Sequence, residues 1–328
     1  VFLPFKHLEL IIVDEEHEYS YKQYDPAPRY HARDVAMVLA AQQGAKVLLG
    51  SATPSLESYY QAKQDKYGLV VLKERFGAAQ LPAMHLIDTK YANRMKQMKG
   101  GFSVELIDVL ADNLKQGKQS LLFQNRRGYS PYLQCQDCDW IATCHQCDVS
   151  LTYHQTQQQL RCHYCGYNIP MPNQCHACGM PTLTTKGAGT QQIEEQIKAF
   201  FPEVAVGRMD WDSTRGKWSF DAIIESFVQE RIQILVGTQM VVKGLDFKNV
   251  LLVGVINADH VLNFPDFRAH ERSYQMLCQV AGRAGRSDRK GNVLIQTYQP
   301  EHPILRQVLD HDYEGLYQTQ KKERHEYK

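Results

Sequence analysis

The chain has 328 residues, with 37 Lys and Arg against 36 Asp and Glu and a formal charge of +1. That length suits two or three domains with a sizeable core, and 43% hydrophobic, 22% charged and 10% aromatic residues describe an ordinary globular chain, neither disordered nor fibrous. Its longest apolar runs reach about seven residues, far short of the ~20 that cross a bilayer as a helix, and the balanced charge neither advertises nor excludes a nucleic-acid partner, whose footprint is local.

The first residues, Val1-Phe2-Leu3-Pro4-Phe5-Lys6-His7, carry no basic region, apolar stretch or cleavage site, so no signal peptide is expected. The absence of an initiator Met suggests an internal piece of something longer. Leu10-Ile11-Ile12-Val13 reads as a buried parallel strand, and it exits into Asp14-Glu15-Glu16-His17. Ligands sit beyond the carboxyl ends of such strands. Acids there are placed to hold Mg²⁺ and steer a water at a nucleotide phosphate, although a strand followed by a polar turn accounts for four residues equally well. Tyr19-Ser20-Tyr21-Lys22-Gln23-Tyr24, followed by Arg29-Tyr30-His31-Ala32-Arg33, interleaves aromatic rings with cations, a poor stripe for a core and a good one for stacking bases and meeting phosphates. Helical spacing over His31–Gln42 (Val35, Val38, Leu39) and a second apolar run, Val47-Leu48-Leu49, complete a strand–helix–strand unit. That second run exits into Gly50-Ser51-Ala52-Thr53-Pro54. Leu72–Gly101, rich in Lys, Arg, Gln and Met with little periodicity, reads as a linker.

A second α/β unit is expected to begin near Phe102, with Ser120–Phe123 as an early strand. It is interrupted by eight of the nine cysteines, in four Cys-x-x-Cys pairs: Cys135/Cys138, Cys144/Cys147, Cys162/Cys165 and Cys175/Cys178. Each such turn points two thiolates at one centre and two turns complete a tetrahedral sulfur site, so eight ligands imply two Zn²⁺. Three pairings of the turns are possible. A nested one is preferred: Cys144/Cys147 with Cys162/Cys165 enclose the strand-like Ser150–Tyr153 and Leu160-Arg161 as a ribbon hairpin, leaving Cys135/Cys138 to close with Cys175/Cys178. His145, His163 and His176 lie inside the spacers and read as surface residues, since cysteines already fill both sites. After the cysteines the alternation resumes: helix Thr190–Phe201, strand Val204–Met209, helix Phe220–Val228, strand Ile232–Val236 ending at Gly237-Thr238-Gln239, strand Asn249–Ile256, helix Glu271–Val280 and strand Asn292–Tyr298. Helices follow over Glu301–Lys322. Gln279 to Arg286 places Arg283 and Arg286 three apart at a helix end, a fork for phosphate. Cys278, the ninth cysteine, reads as plain packing.

Taken in this order, the signals resemble superfamily 2 helicases. Asp14-Glu15-Glu16-His17 is similar to motif II, Ser51-Ala52-Thr53 to motif III, Gly237-Thr238-Gln239-Met240 through Lys243-Gly244-Leu245-Asp246-Phe247 to motif V, and Gln279 through Arg286 to motif VI. The eight-cysteine insertion, with Asn125-Arg126-Arg127-Gly128-Tyr129 before it and Gly187-Ala188-Gly189-Thr190 after it, resembles the bacterial replication-restart helicases within that superfamily. The resemblance implies an α/β fold of two RecA-like lobes with parallel sheets, the first lobe truncated: residues 1–75 the end of lobe 1, 76–102 a linker, 103–134 and 182–300 lobe 2, 135–181 the two-zinc insertion, and 301–328 a helical segment. It implies that Asp14 binds Mg²⁺ through its shell and that Glu15 orients and deprotonates the attacking water. Arg286, helped by Arg283, would be the arginine finger at the γ-phosphate, with Gln279 at the phosphate or its water and Asp246 close to the nucleotide. Glu16, His17 and Thr53 would couple nucleotide state to DNA. Tyr19, Tyr21, Lys22 and Tyr24 fall where the family carries an aromatic-rich DNA loop, and Thr190, Thr238 and Arg127 would meet strand phosphates.

A G-x-x-x-x-G-K-[ST] phosphate loop is absent from these 328 residues: Gly117-Lys118-Gln119 and Gly216-Lys217-Trp218 both lack its hydroxyl and its upstream glycine. The expectation is therefore divided. The parent would be an ATP- and Mg²⁺-dependent 3′–5′ DNA helicase of the bacterial cytoplasm, monomeric and without membrane contact. It would act at stalled forks on branched and single-stranded DNA, with single-stranded DNA-binding protein and the primosome and helicase-loading proteins as partners. The chain by itself should hydrolyse ATP poorly. The alternative is a zinc-dependent nucleic-acid-binding or primosome scaffold module without catalysis, a role that needs none of Asp14, Glu15, Gln279, Arg283 and Arg286.

Overall fold

The computed structural model describes the chain except residues 1, 2, 4, 24, 26, 73–79, 125–131, 139, 147–149, 155–156, 163–164, 187–189, 211–218, 242–246, 265, 286–289 and 327–328. It divides into two compact units, residues 1–73 and 74–328.

In the first unit β1 (Leu10–Val13) and β2 (Lys46–Leu49) pair in parallel, Leu10 opposite Lys46 and Val13 opposite Leu49. A parallel pair needs a crossover, supplied by α1 (Ala32–Gln43), which buries Ala36 and Ala40. Gly44, in the left-handed region at φ 69°, ends α1 by returning its N–H to Ala40 O. Tyr19–Tyr21 form a single 3₁₀ turn between β1 and α1. After β2 the chain enters α2 (Leu56–Lys63), whose N-cap Ser55 accepts the Ser58 N–H through its side chain.

The second unit opens with β3 (Ala83–Asp88), α3 (Thr89–Arg94) and the hairpin β4 (Met98–Lys99) and β5 (Phe102–Ser103), followed by α4 (Val104–Lys115) and β6 (Gln119–Phe123). The cysteine-bearing insertion holds β7 (Tyr132–Cys135), β8 (Thr152–His154), β9 (Gln159–Arg161), β10 (Asn168–Pro170) and β11 (Leu183–Lys186). The alternating part continues with α5 (Thr190–Phe200), β12 (Val206–Met209), α6 (Ser219–Val228), β13 (Ile234–Gly237), β14 (Val250–Val255), α7 (Asp259–Leu262), α8 (Ala269–Ala281) and β15 (Asn292–Thr297). The helices α9 (Pro303–Leu309) and α10 (Tyr313–Glu326) close it.

Six strands form one sheet in the order β12-β13-β6-β14-β15-β3, every neighbouring pair parallel. Side chains alternate between its faces. Leu121, Phe123, Val253 and Val255 enter one core with α8 and α9, while Leu122, Leu252, Ile234 and Val236 enter another with α4 and α5. Burial on both faces explains why these strands read as near-continuous apolar runs. One expectation is corrected here. Residues read as a linker, within Leu72–Gly101, contain β3, which pairs along its full length with β15 from Ala83 opposite Asn292 to Asp88 opposite Thr297. β3 is an edge strand and Ile87 is its one buried residue, so its sequence lacks the apolar run of the central strands.

The insertion is a five-stranded antiparallel sheet in the order β10-β9-β8-β7-β11, with a small core of Leu133, Ala142, Leu151 and Leu160 beside Cys144 and Cys162. Its first and last strands pair with each other, Tyr132 opposite Lys186. Ser150 Oγ donates to Asn263 O at 3.1 Å, and the Tyr132 ring meets His260 edge-on at 5.4 Å, so the insert rests on the loop after α7 and on α7 itself.

Candidate functional sites

The acids after β1 occupy the carboxyl end of that strand. Glu15 adopts φ 48°, a turn closed by its own N–H donating to Asp14 Oδ1 at 2.9 Å. Asp14 is exposed and Glu15 half-buried, which leaves both carboxylates open to a ligand approaching the strand end. Glu16 turns the other way. Only 1% exposed, it accepts the Ser55 N–H at 2.6 Å, Ser55 Oγ at 3.0 Å, Ser58 Oγ at 2.8 Å and Arg33 Nη1 at 2.8 Å. A buried carboxylate requires this degree of satisfaction. His17 Nδ1 lies 2.6 Å from Ser51 Oγ and 3.7 Å from Glu15 Oε2, while the Thr53 N–H donates to that same Ser51 Oγ at 2.9 Å. His17 and the Thr53 N–H thus share Ser51 Oγ, while Glu16 belongs to a second group with Ser55, Ser58 and Arg33, both at the ends of β1 and β2.

Arg33, which follows the aromatic stretch and reads from sequence as a phosphate-facing cation, points inward. Its side chain is 11% exposed and pairs with Glu16, with Nε on Asp34 at 3.0 Å. Burial disfavours its charge, but the hydrogen bonds to Glu16 and Asp34 outweigh that and raise its pKa above the ordinary guanidinium value. Arg33, Ser55 and Ser58 were not predicted as partners of Glu16, because a carboxylate's tertiary partners leave no spacing signature.

Within the aromatic stretch, Tyr19 is 40% exposed, while Tyr21 is half-buried and donates its hydroxyl to Asp14 O at 2.9 Å. Burial first, then the charges of Asp14, Glu18 and Glu15, raise the Tyr21 phenol above its usual pKa. Lys22 bridges His31 through the backbone, so the stretch is a closed loop whose base lies beside the acids. Tyr24 lies outside the described residues.

In the second unit, Thr190 at the start of α5 is fully buried and donates to the Asp210 carboxylate, which Arg208 also meets at 3.0 Å. Its hydroxyl is therefore engaged internally in this structure, and the N-terminus of α5 lies at the same position. Thr238 follows β13 and is 8% exposed. Gln279 is half-buried on α8 and Arg283, just past its end, is 9% exposed. Arg127, Asp246 and Arg286 lie outside the described residues. Cys278 packs against the main core, where burial pushes its thiol up to about 12.

Cys135, Cys138, Cys175 and Cys178 converge in one group, and Cys144, Cys162 and Cys165 in a second, with the sulfur atoms of each group within 4.8 Å of one another. Cys147 lies outside the described residues. These groups match the nested pairing. The Cys135–Cys178, Cys138–Cys175 and Cys144–Cys165 sulfur pairs each stand 3.6 Å apart. Four sulfurs at about 2.3 Å from a tetrahedral Zn²⁺ are about 3.8 Å from one another, whereas a disulfide holds its sulfurs at about 2.0 Å. The donor set and its spacing therefore fit zinc. Burial opposes ionisation of the Cys135 thiol, but hydrogen bonds from the backbone at Cys138 and Asp137 prevail and bring it down to about 6. Cys138 receives help from the Trp140 backbone, yet burial and the hydrogen bonds with the neighbouring thiols carry it up to about 12, a shift that a bound cation would oppose. His145 meets Tyr167 edge-on at 4.2 Å and His176 meets Trp140 at a tilt at 5.2 Å, and both stay out of the sulfur groups, as expected; His163 lies outside the described residues.

Comparison with known proteins agrees with this arrangement. Residues 144–170 match a family profile described as the PriA DNA helicase Cys-rich region, and residues 191–288 match the helicase conserved C-terminal domain. The chain is 44% identical over 330 aligned positions to the replication restart protein PriA of Bacillus subtilis, covering 99% of this chain and 40% of that protein. It is 46% identical to the Haemophilus influenzae protein of the same name (96% and 43% covered) and 41% identical to that of Chlamydia trachomatis (98% and 43%). The chain thus spans about two fifths of the length of the curated relatives it matches.

Proposed function

Because the chain belongs to the PriA family of replication restart proteins, we propose that it carries the ATP-coupling and zinc-bearing part of an ATP-dependent 3′–5′ DNA helicase that recognises stalled forks and helps to assemble the primosome. The reading rests on Glu16. Its carboxylate gathers Arg33 from α1 together with Ser55 and Ser58 from the start of α2, directly beside Asp14 and Glu15. A displacement of the two outer acids is thereby passed to α1, and through α1 to the aromatic stretch that precedes it.

In this mechanism Asp14 would hold Mg²⁺, and Glu15 would orient the attacking water and take its proton. Mg²⁺–ATP, when bound, supplies the phosphoryl group and the cation that neutralises its charge. Gln279, Arg283 and Arg286 meet the transferring phosphate, with Asp246 close by, and Arg286 acts as the arginine finger, worth about 10³–10⁵ in rate. Tyr19, Tyr21, Lys22 and Tyr24 engage unpaired DNA, with Thr238 and Arg127 at phosphates. Each sulfur group would hold one Zn²⁺, with Cys147 as the expected fourth ligand of the second. Single-stranded DNA-binding protein and the helicase-loading proteins are the expected partners, in the bacterial cytoplasm, and the working form is a monomer. The 328-residue chain contains no G-x-x-x-x-G-K-[ST] sequence and on that ground does not hydrolyse ATP by itself.

The test is a chimera in which this chain replaces the matching segment of the Bacillus subtilis relative. ATP-driven unwinding of a forked DNA, abolished by Glu15→Gln, is expected. A chimera that binds zinc and DNA but neither hydrolyses ATP nor unwinds would favour the scaffold role instead.

A further inference from the structure

The segment between β3 and α4 has no part in the sites above, yet its composition is one-sided. From Thr89 to Val104 it contains Lys90, Arg94, Lys96 and Lys99 and no acidic residue. Arg94, Lys96 and Lys99 are exposed, and among the described residues no carboxylate pairs with any of the three. Between them Tyr91 is 58% exposed and Met95 54% exposed, large apolar groups left in water beside cations.

The segment is also held in place. Asp88 caps α3 by accepting the N–H groups of Lys90 and Tyr91, both at 2.9 Å. Gly100, at φ 61°, makes the turn of the β4–β5 hairpin, and the Gly101 N–H donates to Gln196 Oε1 on α5 at 3.1 Å. Gln296, at the end of β15, accepts the Ser103 N–H at 2.7 Å and donates to Gly101 O at 2.9 Å. Because β3 runs parallel to the other strands, α3 leaves the carboxyl edge of the sheet, the edge on which Thr238 follows β13. β3 and β13 are four places apart in the sheet, about 19 Å at 4.8 Å per strand.

We propose that Tyr91, Arg94, Lys96 and Lys99 form a contact surface for single-stranded DNA on the second unit, the cations meeting backbone phosphates and the Tyr91 ring stacking on an unpaired base. Fixed positive charge without internal partners matches a polyanion in sign, and an exposed ring among cations is the arrangement that holds single strands without reading sequence. An acidic protein surface would satisfy the cations but leaves the ring and Met95 without a purpose. The proposal rests on the reading of this chain as a DNA-binding helicase part.

The experiment measures binding of a fluorescein-labelled oligothymidylate of about 20 nucleotides to the zinc-loaded chain across a range of salt, with a site size of several nucleotides per surface. Each phosphate neutralised on a single strand contributes about 0.7 to the slope of log affinity against log salt. The triple substitution R94Q/K96Q/K99Q should therefore lower the slope by about 2 and weaken binding about a hundredfold at 0.1 M salt, with little loss near 1 M. Tyr91→Ala should weaken binding about tenfold or more at every salt concentration, and Tyr91→Phe should restore it. All these side chains are exposed, so zinc content and the unfolding midpoint should match the wild type and serve as the folding control. A wild-type slope in the triple variant overturns the proposal. A lowered slope with full affinity in Tyr91→Ala overturns the single strand as the ligand in favour of duplex. If the wild-type chain fails to bind the oligonucleotide at all, the DNA-binding reading falls and this proposal with it.

Discussion

Removing the charge of Arg33 tests the Glu16 hub directly. Arg33→Met keeps the buried stem and deletes the guanidinium, leaving a carboxylate that is 1% exposed with Ser55 N–H, Ser55 Oγ and Ser58 Oγ and no countercharge. Breaking one side of a buried pair costs about 3–5 kcal/mol, and the three remaining donors place this case near 3. Neutralising both partners, Arg33→Met with Glu16→Gln, removes the stranded charge, so the double variant should be more stable than Arg33→Met alone, with a coupling of about 2 kcal/mol. Hydrogen exchange over residues 55–63 reads the effect locally. About 3 kcal/mol of lost protection accelerates amides of α2 by roughly a hundredfold, while β6 and β14 in the other unit keep their wild-type rates. Additive effects of the two substitutions, or unchanged exchange in α2 after Arg33→Met, would refute the claim that this pair organises the ends of β1 and β2.

Three further outcomes follow from the structure. Zinc analysis should return two ions per chain; Cys135→Ser should lower this to one, and chelation should unfold β7–β11 while the six-stranded sheet keeps its exchange protection. His302 caps α9 by accepting the Ile304 N–H on Nδ1 at 3.3 Å, and burial, helped by the nearby His270, lowers its pKa to about 4. A histidine depressed on folding contributes stability in full above the unfolded value of about 6.5 and loses it as pH falls towards 4, here about 2 kcal/mol after allowance for partial exposure; His302→Asn, which retains a capping acceptor, should flatten that part of the urea-unfolding profile. A Cβ on Gly291 would stand 2.5 Å from Gly285 N and 2.6 Å from the Ala284 carbonyl carbon. Backbone cannot yield as a side chain does, so Gly291→Ala should cost about 3 kcal/mol and displace the Arg283–Gly285 turn, measured as a lowered urea midpoint.

Legibility of the fold in the sequence followed burial. The central strands β6, β13 and β14 are covered on both faces, and their apolar runs mark them within one or two residues. β3 escapes because an edge strand with one buried residue has neither an apolar run nor strict alternation. The site divides in the same way. Asp14 to His17 and the cysteines are contiguous or regularly spaced, so their chemistry is visible in one dimension. The partners of Glu16 lie 17, 39 and 42 residues away, and nothing in Ser55 or Ser58 announces a carboxylate. The tie of Thr190 to Asp210, twenty residues on, is hidden in the same way.

The pairing of β7 with β11 has a consequence for how this molecule can change over time. Because Tyr132 and Lys186 are hydrogen-bonded neighbours, the insertion leaves and rejoins the chain at one place. To the sheet behind it, some fifty residues and two cysteine groups present the same two ends as a hairpin loop of a few residues. Such a cassette can be acquired, lost or exchanged in a single genetic event without altering the register of β6 or the entry into α5. Its tenancy is recorded in contacts such as those of Ser150 with Asn263 and Tyr132 with His260. Those are the positions where a lineage that had discarded the cassette would show its scar.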